Sequence, residues 1–350
     1  MNDASAATDS PDDHQPDPGN EGGGVAARLD AFQKRHPAAG FPLAVFYKYT
    51  DDGGGYLAAL IAYYGFVSLF PLLLLFSTVL GLVLAGHPHL QQQILSSALS
   101  QFPVVGGQLS NPKGLSGGPA GLIIGILGSR YGGLGVAQVL QYARNTAWSV
   151  PKNSRPDPFK SRGRSLLLLG TAGLAILLTT VLSTLGAGNA GSLGALLRVL
   201  TLLVSVLVNA AVFVLAFRIA AGRDLSVRDV APGAIAAATV WQLLQTFGVV
   251  YVGHVVKGAS ATNGVFALVL GLIAFLYITG VTVVICVEIN VVRVDRLYPR
   301  SLLTPFTDAV VLTEGDRRVY TDQATAQRNK GFQEIDVAFD QPGTPPEESP

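Results

Sequence analysis

Charge is scarce in this sequence. Of its 350 residues 13% are Asp, Glu, Lys or Arg, about half the share of an ordinary soluble domain, whereas 49% are hydrophobic. An apolar excess of that size faces something other than water. Cysteine is almost missing: the single Cys286 excludes an intrachain disulfide and a Cys-rich metal site. No apolar run interrupts residues 1–24, so a cleavable signal peptide is not expected and membrane insertion would begin with the first long apolar segment. The formal net charge of +1 argues against a molecule-wide attraction to nucleic acid. No Gly-rich phosphate loop or ATP-binding motif is present, so any energy for transport would come from an ion gradient or a partner, and no cofactor is implied. No internal repeat stands out, which leaves an inverted-repeat architecture neither supported nor excluded.

What the chain does have is apolar length. Crossing a hydrocarbon core takes roughly 20 residues at about 1.5 Å each, and six segments meet that need: about Tyr56–Ala85, Ala120–Tyr142, Ser165–Leu185, Ala195–Phe217, Ala231–Val255 and Thr262–Val294. The first and last exceed it and are expected to tilt, kink or extend beyond the bilayer, with Pro71 supplying a kink. Basic residues collect on one side: Arg28, Lys34, Arg35 and Lys48, then Arg144 to Arg164, then Arg218, Arg223 and Arg228, then Arg293, Arg296 and Arg300. The other side receives Lys113, Arg198 and Lys257. Because cytoplasmic loops carry the excess of Lys and Arg, this distribution predicts an all-α, polytopic transmembrane helix bundle of six spans with N-in, C-in topology.

Around the expected transmembrane domain, residues 56–295, lie accessory pieces. Residues 1–24 read as a disordered tail, and residues 25–55 as a juxtamembrane amphipathic helix and elbow: Val25, Leu29 and Phe32 share one face of Val25–Arg35. Leu90, Ile94, Leu95, Leu99 and Phe102 recur at helical spacing in the first outer loop. Residues 296–350 are polar and acidic toward their end and read as a largely disordered cytoplasmic tail.

Three stretches carry a resemblance: LAALIAYYGFVSLFPLLLLFSTVLGLVL at Leu57–Leu84, FRIAAGRDLSVRDVAPGAIAAATVWQLLQ at Phe217–Gln245, and NGVFALVLGLIAFLYITGVTVVICVEINVV at Asn263–Val292. In that order they resemble the YihY/BrkB-type inner-membrane proteins, and the likeness extends over most of Arg28 to Arg300, weakest at Gly86–Gly118. The resemblance implies a six-span, multi-pass bundle in the bacterial cytoplasmic membrane. It links the chain to envelope traits and transport and to an old label of ribonuclease BN, and it implies no established catalytic residues.

A nuclease needs metal ligands or a paired acid and base around a phosphate. The five histidines, His14, His36, His87, His89 and His254, are scattered, and the close pair His87 and His89 has no neighbouring carboxylate and falls on the outer side. Ribonuclease activity is therefore rejected, no metal or catalytic residues are assigned, and the chain is expected not to be an enzyme. The basic Arg144–Arg164 loop reads as a topological signal, not an RNA site.

Polar groups within the spans are the better lead, because each is expensive in hydrocarbon. Glu288 is the only carboxylate in any expected span. Counting about 1.5 Å per residue puts it roughly 8 Å inside the cytoplasmic edge, with Tyr63 and Tyr64 roughly 10–12 Å inside. A hydrogen-bonded layer of Glu288 with Tyr63 or Tyr64 is one reading; a Glu288 anchor pairing with Arg144 or Arg293 is the other. Deeper, Asn209 and Trp241 lie roughly 14–15 Å in and Arg130 and Gln245 roughly 21 Å in, with Gln245 the expected neighbour of Arg130. Gly121, Gly125, Gly128, Gly132 and Gly135 recur in steps of 4, 3, 4 and 3, which aligns them on one face for close backbone approach and puts Arg130 on the opposite face, toward lipid or a cavity. Ala234, Ala238, Trp241, Gln245 and Gly248 mark a similar stripe in the fifth span.

These residues lead to an expected transporter or flippase-like protein for an amphipathic or anionic solute. The alternative is a non-transporting envelope scaffold whose polar residues only hold helices together. The expected partners are membrane lipids and a small-molecule or lipid substrate, not nucleic acid.

Overall fold

A computed structural model describes residues 24–83, 118–157, 159–168, 194–220, 224–255, 261–306 and 310–339, with isolated positions at 86, 89, 91–92 and 170–171. Among them every regular element is helical: α1 (Val25–Arg35), α2 (Pro37–Asp51), α3 (Gly54–Val83), α4 (Gly118–Ala147), α5 (Gly194–Ala220), α6 (Val227–Val255), α7 (Ala261–Val294) and α8 (Glu314–Ala326), with a short 3-10 turn at Lys152–Ser154. Four stretches are long and apolar enough to cross a membrane: Gly54–Val79, Ile123–Ala147, Leu202–Ala220 and Val269–Val294. They correspond to the first, second, fourth and sixth expected spans. The expected fifth span lies in α6, which is 29 residues long. Most of the expected third span, Ser165–Leu185, falls outside the described residues, as do the helix expected at Leu90–Phe102 and the tail at 1–23.

Helix α7 is the centre of the bundle. The α3/α4 pair packs on one side of it and the α5/α6 pair on the other, while α2 lies along its C-terminal end. The glycine face of α4 explains its contact with α3. A Cβ added at Gly128 would lie 2.6 Å from the Pro71 ring, one at Gly132 would lie 2.4 Å from Ser68 Cβ, and one at Gly135 would lie 2.2 Å from the Tyr64 ring. No larger residue fits, so the backbones approach as the spacing predicts. Ile124, Leu127, Leu203 and Leu207 leave more than half their surface exposed on the outside of α4 and α5, as lipid-facing side chains would.

At the C-terminal end of α7, Ala44, Ala147, Trp148, Phe217, Val230, Ala234, Val287, Val291 and Val319 form one buried core. The chain enters it through an elbow. Gly53, at φ +66°, makes the left-handed turn between α2 and α3 that a side chain would resist. Helix α1 forms over the expected residues and leaves Val25, Leu29 and Phe32 exposed along one face, as an interfacial helix requires.

The region after Arg300 corrects its expected disorder. Its composition is polar, but Thr313 caps α8 in a reciprocal box with Asp316, and Val319 is fully buried in the core. Burying one valine stabilises docking by about 1.5–3 kcal/mol, and the buried Arg300–Asp316 ion pair adds a specific anchor. Residues 340–350 lie outside the described residues.

Candidate functional site

Helix α2 ends in Lys48, Asp51 and Asp52, and its contact with the C-terminal end of α7 buries the lysine beside Glu288. Lys48 and Glu288 are 1% and 0% exposed. The Lys48 ammonium bonds the Asp52 carboxylate one helical turn ahead and stands 4.0 Å from Glu288 Oε2. Burial works against the lysine charge, but Glu288 and Asp52 outweigh it and hold its pKa above the ordinary lysine value. The set is unbalanced: two carboxylates face one ammonium, and neither Glu288 oxygen accepts a hydrogen bond from a described donor. Gln323 of α8 donates to Asp52 Oδ1 at 3.0 Å, so the tail helix reaches the cluster.

One residue away a second set has the same count, two carboxylates to one cation, but there the carboxylates accept hydrogen bonds. Asp51 Oδ2 lies 3.1 Å from both terminal nitrogens of Arg300, whose Nε donates to Asp316. Tyr47 and Tyr320 rings flank the guanidinium with centroids 5.9 and 5.5 Å away. Asp316 also accepts from Ser301 N at 3.0 Å, Thr313 N at 3.0 Å and Thr313 Oγ1 at 2.7 Å. Burial raises the Asp51 carboxyl above the ordinary aspartate value, even against the pull of Arg300. Across α7, Asn290 Oδ1 accepts from Gly233 N at 2.8 Å, where a Cβ would lie 2.0 Å from the Cys286 carbonyl. That contact fixes α6 against α7 beside the cluster.

Arg144 is buried to 1% exposure in the last turn of α4, and none of its three side-chain nitrogens has a hydrogen-bond partner. Beside that turn a cleft of about 510 Å³ is lined by Leu60, Gln138, Tyr142, Asn145, Arg155 and Arg162, among others. A second, of about 450 Å³, is lined by Arg164, Arg218, Asp224 and leucine side chains.

The expected polar layers are arranged differently. Glu288 is buried as expected, but no tyrosine hydroxyl bonds it. Tyr63 is 53% exposed, and Tyr64 packs its ring against Tyr63, Tyr131 and Gly135. Neither proposed anchor partner takes Glu288: Arg293 donates to the Arg228 carbonyl, and Arg144 has no partner. Arg130 is exposed on the face of α4 opposite the glycines. It does not meet Gln245, because α4 packs chiefly on α3 while α6 lies between α5 and α7. Trp241 packs at 6.1 Å from Phe275, and Asn209 and Gln245 are half-buried.

Sequence reasoning counted Lys48 and Arg300 only as topological charges, took Arg144 as a topological charge and a candidate partner of Glu288, and passed over Asp51, Asp52, Asp316 and Gln323. Two signals were available. Lys48 and Asp52 are spaced i, i+4 on one helix face, and Thr313-Glu314-Gly315-Asp316 has the pattern of a helix start. Among the described residues, no group of three or more His, Cys, Asp or Glu side chains is disposed to hold a metal ion.

No curated protein and no solved structure matches the chain significantly. The sequence model of the Virulence factor BrkB family matches residues 45–306, which takes in the α2 charges, the glycine-packed pair, Arg144, Glu288 and Arg300; the chain belongs to that family and is an integral membrane protein with several apolar helices.

Proposed function

We propose that the protein moves an amphipathic or anionic solute, or flips a lipid, across the bacterial cytoplasmic membrane, with the Lys48, Asp52 and Glu288 cluster changing charge during the cycle. One observation carries this reading: two buried carboxylates share one buried ammonium at the end of the central helix. Uptake of one proton or monovalent cation would neutralise the set, and its release would restore a buried charge. A group whose charge alternates under a movable cover can couple an ion gradient to movement. The reading has six spans with both ends cytoplasmic, membrane lipids and the solute as partners, and no enzymatic or nucleic-acid role.

The test compares the lipid and solute composition of a deletion strain complemented with wild-type protein or with Glu288→Gln. Loss of complementation by Glu288→Gln at normal expression and insertion supports coupling. Full complementation by Glu288→Gln would overturn it and favour the scaffold reading, in which the cluster only fastens α2 to α7.

A further inference from the structure

Arg144 has no counterion among the described residues. A guanidinium keeps its charge under any ordinary condition, so unlike a buried lysine it has no neutral form to fall back on. Leaving such a charge buried and unpaired costs several kcal/mol, yet all three of its side-chain nitrogens lack a described acceptor. The neighbouring residues show that the position is interior: Ala143 packs with Leu57 of α3 and Val284 of α7, and Ala147 packs in the core with Phe217 and Val287. Among the described residues no carboxylate pairs with it: Glu288 faces Lys48, Asp51 faces Arg300 and Asp157 faces Lys160. The charged group that acts on Arg144 is Arg164, a second cation.

From this we infer that Arg144 is an anion site, which takes a phosphate or carboxylate group in the fork of its guanidinium. The inference rests on the transport reading and deepens it by naming the chemical class of the transported group. The fork presents parallel N–H donors matched to two oxygens of one anion, which a lysine cannot reproduce. Arg144 itself lines neither cleft, but Gln141 and Asn145, three residues before it and one after it in α4, line the cleft of about 510 Å³, which opens beside the turn that carries it. Arg155 and Arg162 stand in its wall, Arg155 over the Tyr142 ring at 5.3 Å, and no carboxylate lines it. The opposite cleft brings Arg164 and Arg218 toward the same end of the bundle, with Asp224 as its one acidic residue. A volume of this size accommodates a headgroup or a small anionic solute, not a whole lipid.

The experiment uses the purified full chain in an uncharged detergent. Its thermal midpoint is followed on titration with phosphatidylglycerol, with zwitterionic phosphatidylcholine, which has no net charge, as the control, and separately with inorganic phosphate. The expected result is a midpoint that rises with phosphatidylglycerol and not with phosphatidylcholine, that does not respond to the anion in Arg144→Met, and that needs about tenfold more anion in Arg144→Lys, where the fork becomes a point charge. A response to phosphatidylglycerol alone identifies a lipid headgroup; a response to phosphate as well identifies a free anion. If Arg144→Met does not fold, retention of phosphatidylglycerol by wild type and its weakening in Arg144→Lys, read by native mass spectrometry, carry the same test. No anion response in wild type, or an equal response in wild type and both variants, would overturn the site. Anion binding at Arg144 together with full complementation by Glu288→Gln would keep the site and remove the transport reading.

Discussion

Replacing Asp316 by alanine tests how the tail is held. The carboxylate is fully buried and accepts from Arg300 Nε, Ser301 N, Thr313 N and Thr313 Oγ1. Its removal leaves Arg300, itself 1% exposed, with Asp51 as the remaining carboxylate. Breaking one partner out of a buried pair costs about 3–5 kcal/mol, and losing the reciprocal cap adds about 1 kcal/mol. The gain that opposes undocking is chiefly the burial of Val319, about 2 kcal/mol. Helix α8 should therefore detach while the membrane helices remain folded, because a domain's whole stability is about 5–15 kcal/mol. Amide hydrogen exchange across residues 310–327 measures this directly. At about 1.4 kcal/mol per factor of ten, a loss of about 4 kcal/mol lowers protection roughly a thousandfold, with α3 and α7 unchanged. Asp316→Asn, which keeps an acceptor for the Thr313 amide, should lose about half as much in free energy. Protection in Asp316→Ala within about threefold of wild type would refute the argument, since it would mean that the network contributes less than 1 kcal/mol.

Further outcomes follow from the same geometry. Asp30 accepts from Leu302 N at 2.8 Å and pairs with Lys34; burial opposes its charge, but these partners lower its pKa below the ordinary aspartate value. The stability it contributes is thus present above the ordinary value of 3.8 and lost as pH falls through its lowered folded value. Hydrogen exchange of residues 25–35 should quicken in that acid window, and Asp30→Asn should abolish the pH dependence. Gly132→Ala puts a Cβ 2.4 Å from Ser68 and should destabilise the α3/α4 pair by about 1–3 kcal/mol, whereas Gly163→Ala meets nothing within 4 Å; equal melting temperatures for the two would contradict close packing. For topology, single cysteines at Ser154, Gly222 and Ala324 in a Cys286→Ala background should be protected from an impermeant thiol reagent in intact cells, and those at Ser110, Asn189 and Ala259 should react. Labelling of Ser154 from outside would rule out the six-span arrangement.

Apolar length and helical period made much of the bundle legible. The observed bounds of α3, α4, α5, α6 and α7 lie within a few residues of the expected segments, and the stepped glycines named the face of α4 that meets α3. Depth counting found Glu288 but not its partners. It places residues along the membrane normal and is blind to rotation and to neighbours, so Tyr63 and Tyr64 matched in level while their rings turned toward α4 and the outside. Lys48 illustrates a second limit. A lysine just before a span normally reports topology, and only the seating of α2 along α7 turns it into a buried ion-pair partner. The tail was misread for a related reason: a helix of mean polar composition folds when one capped turn, one ion pair and one buried valine coincide, and an average over composition registers none of these.

Asp51 and Asp52 are adjacent in sequence and belong to opposite regimes. Asp51 completes a closed set in which Arg300 has carboxylates on both sides and aromatic faces around it. Asp52 belongs to an open set, which has the same two carboxylates to one cation but leaves Glu288 without a described donor. A closed buried network is rigid because any change breaks several bonds at once, whereas an open one keeps an acceptor ready for a further donor. Helix α8 touches both, through Asp316 on Arg300 and Gln323 on Asp52. The closed set has more bonds to α8 than the open one, so loss of the Gln323 contact should leave α8 docked. Removing Gln323 takes a donor from Asp52 and leaves the open set shorter of donors. Gln323→Ala should accordingly change any solute movement while leaving α8 protected from exchange; unchanged movement would show that Gln323 covers the cluster without influencing it.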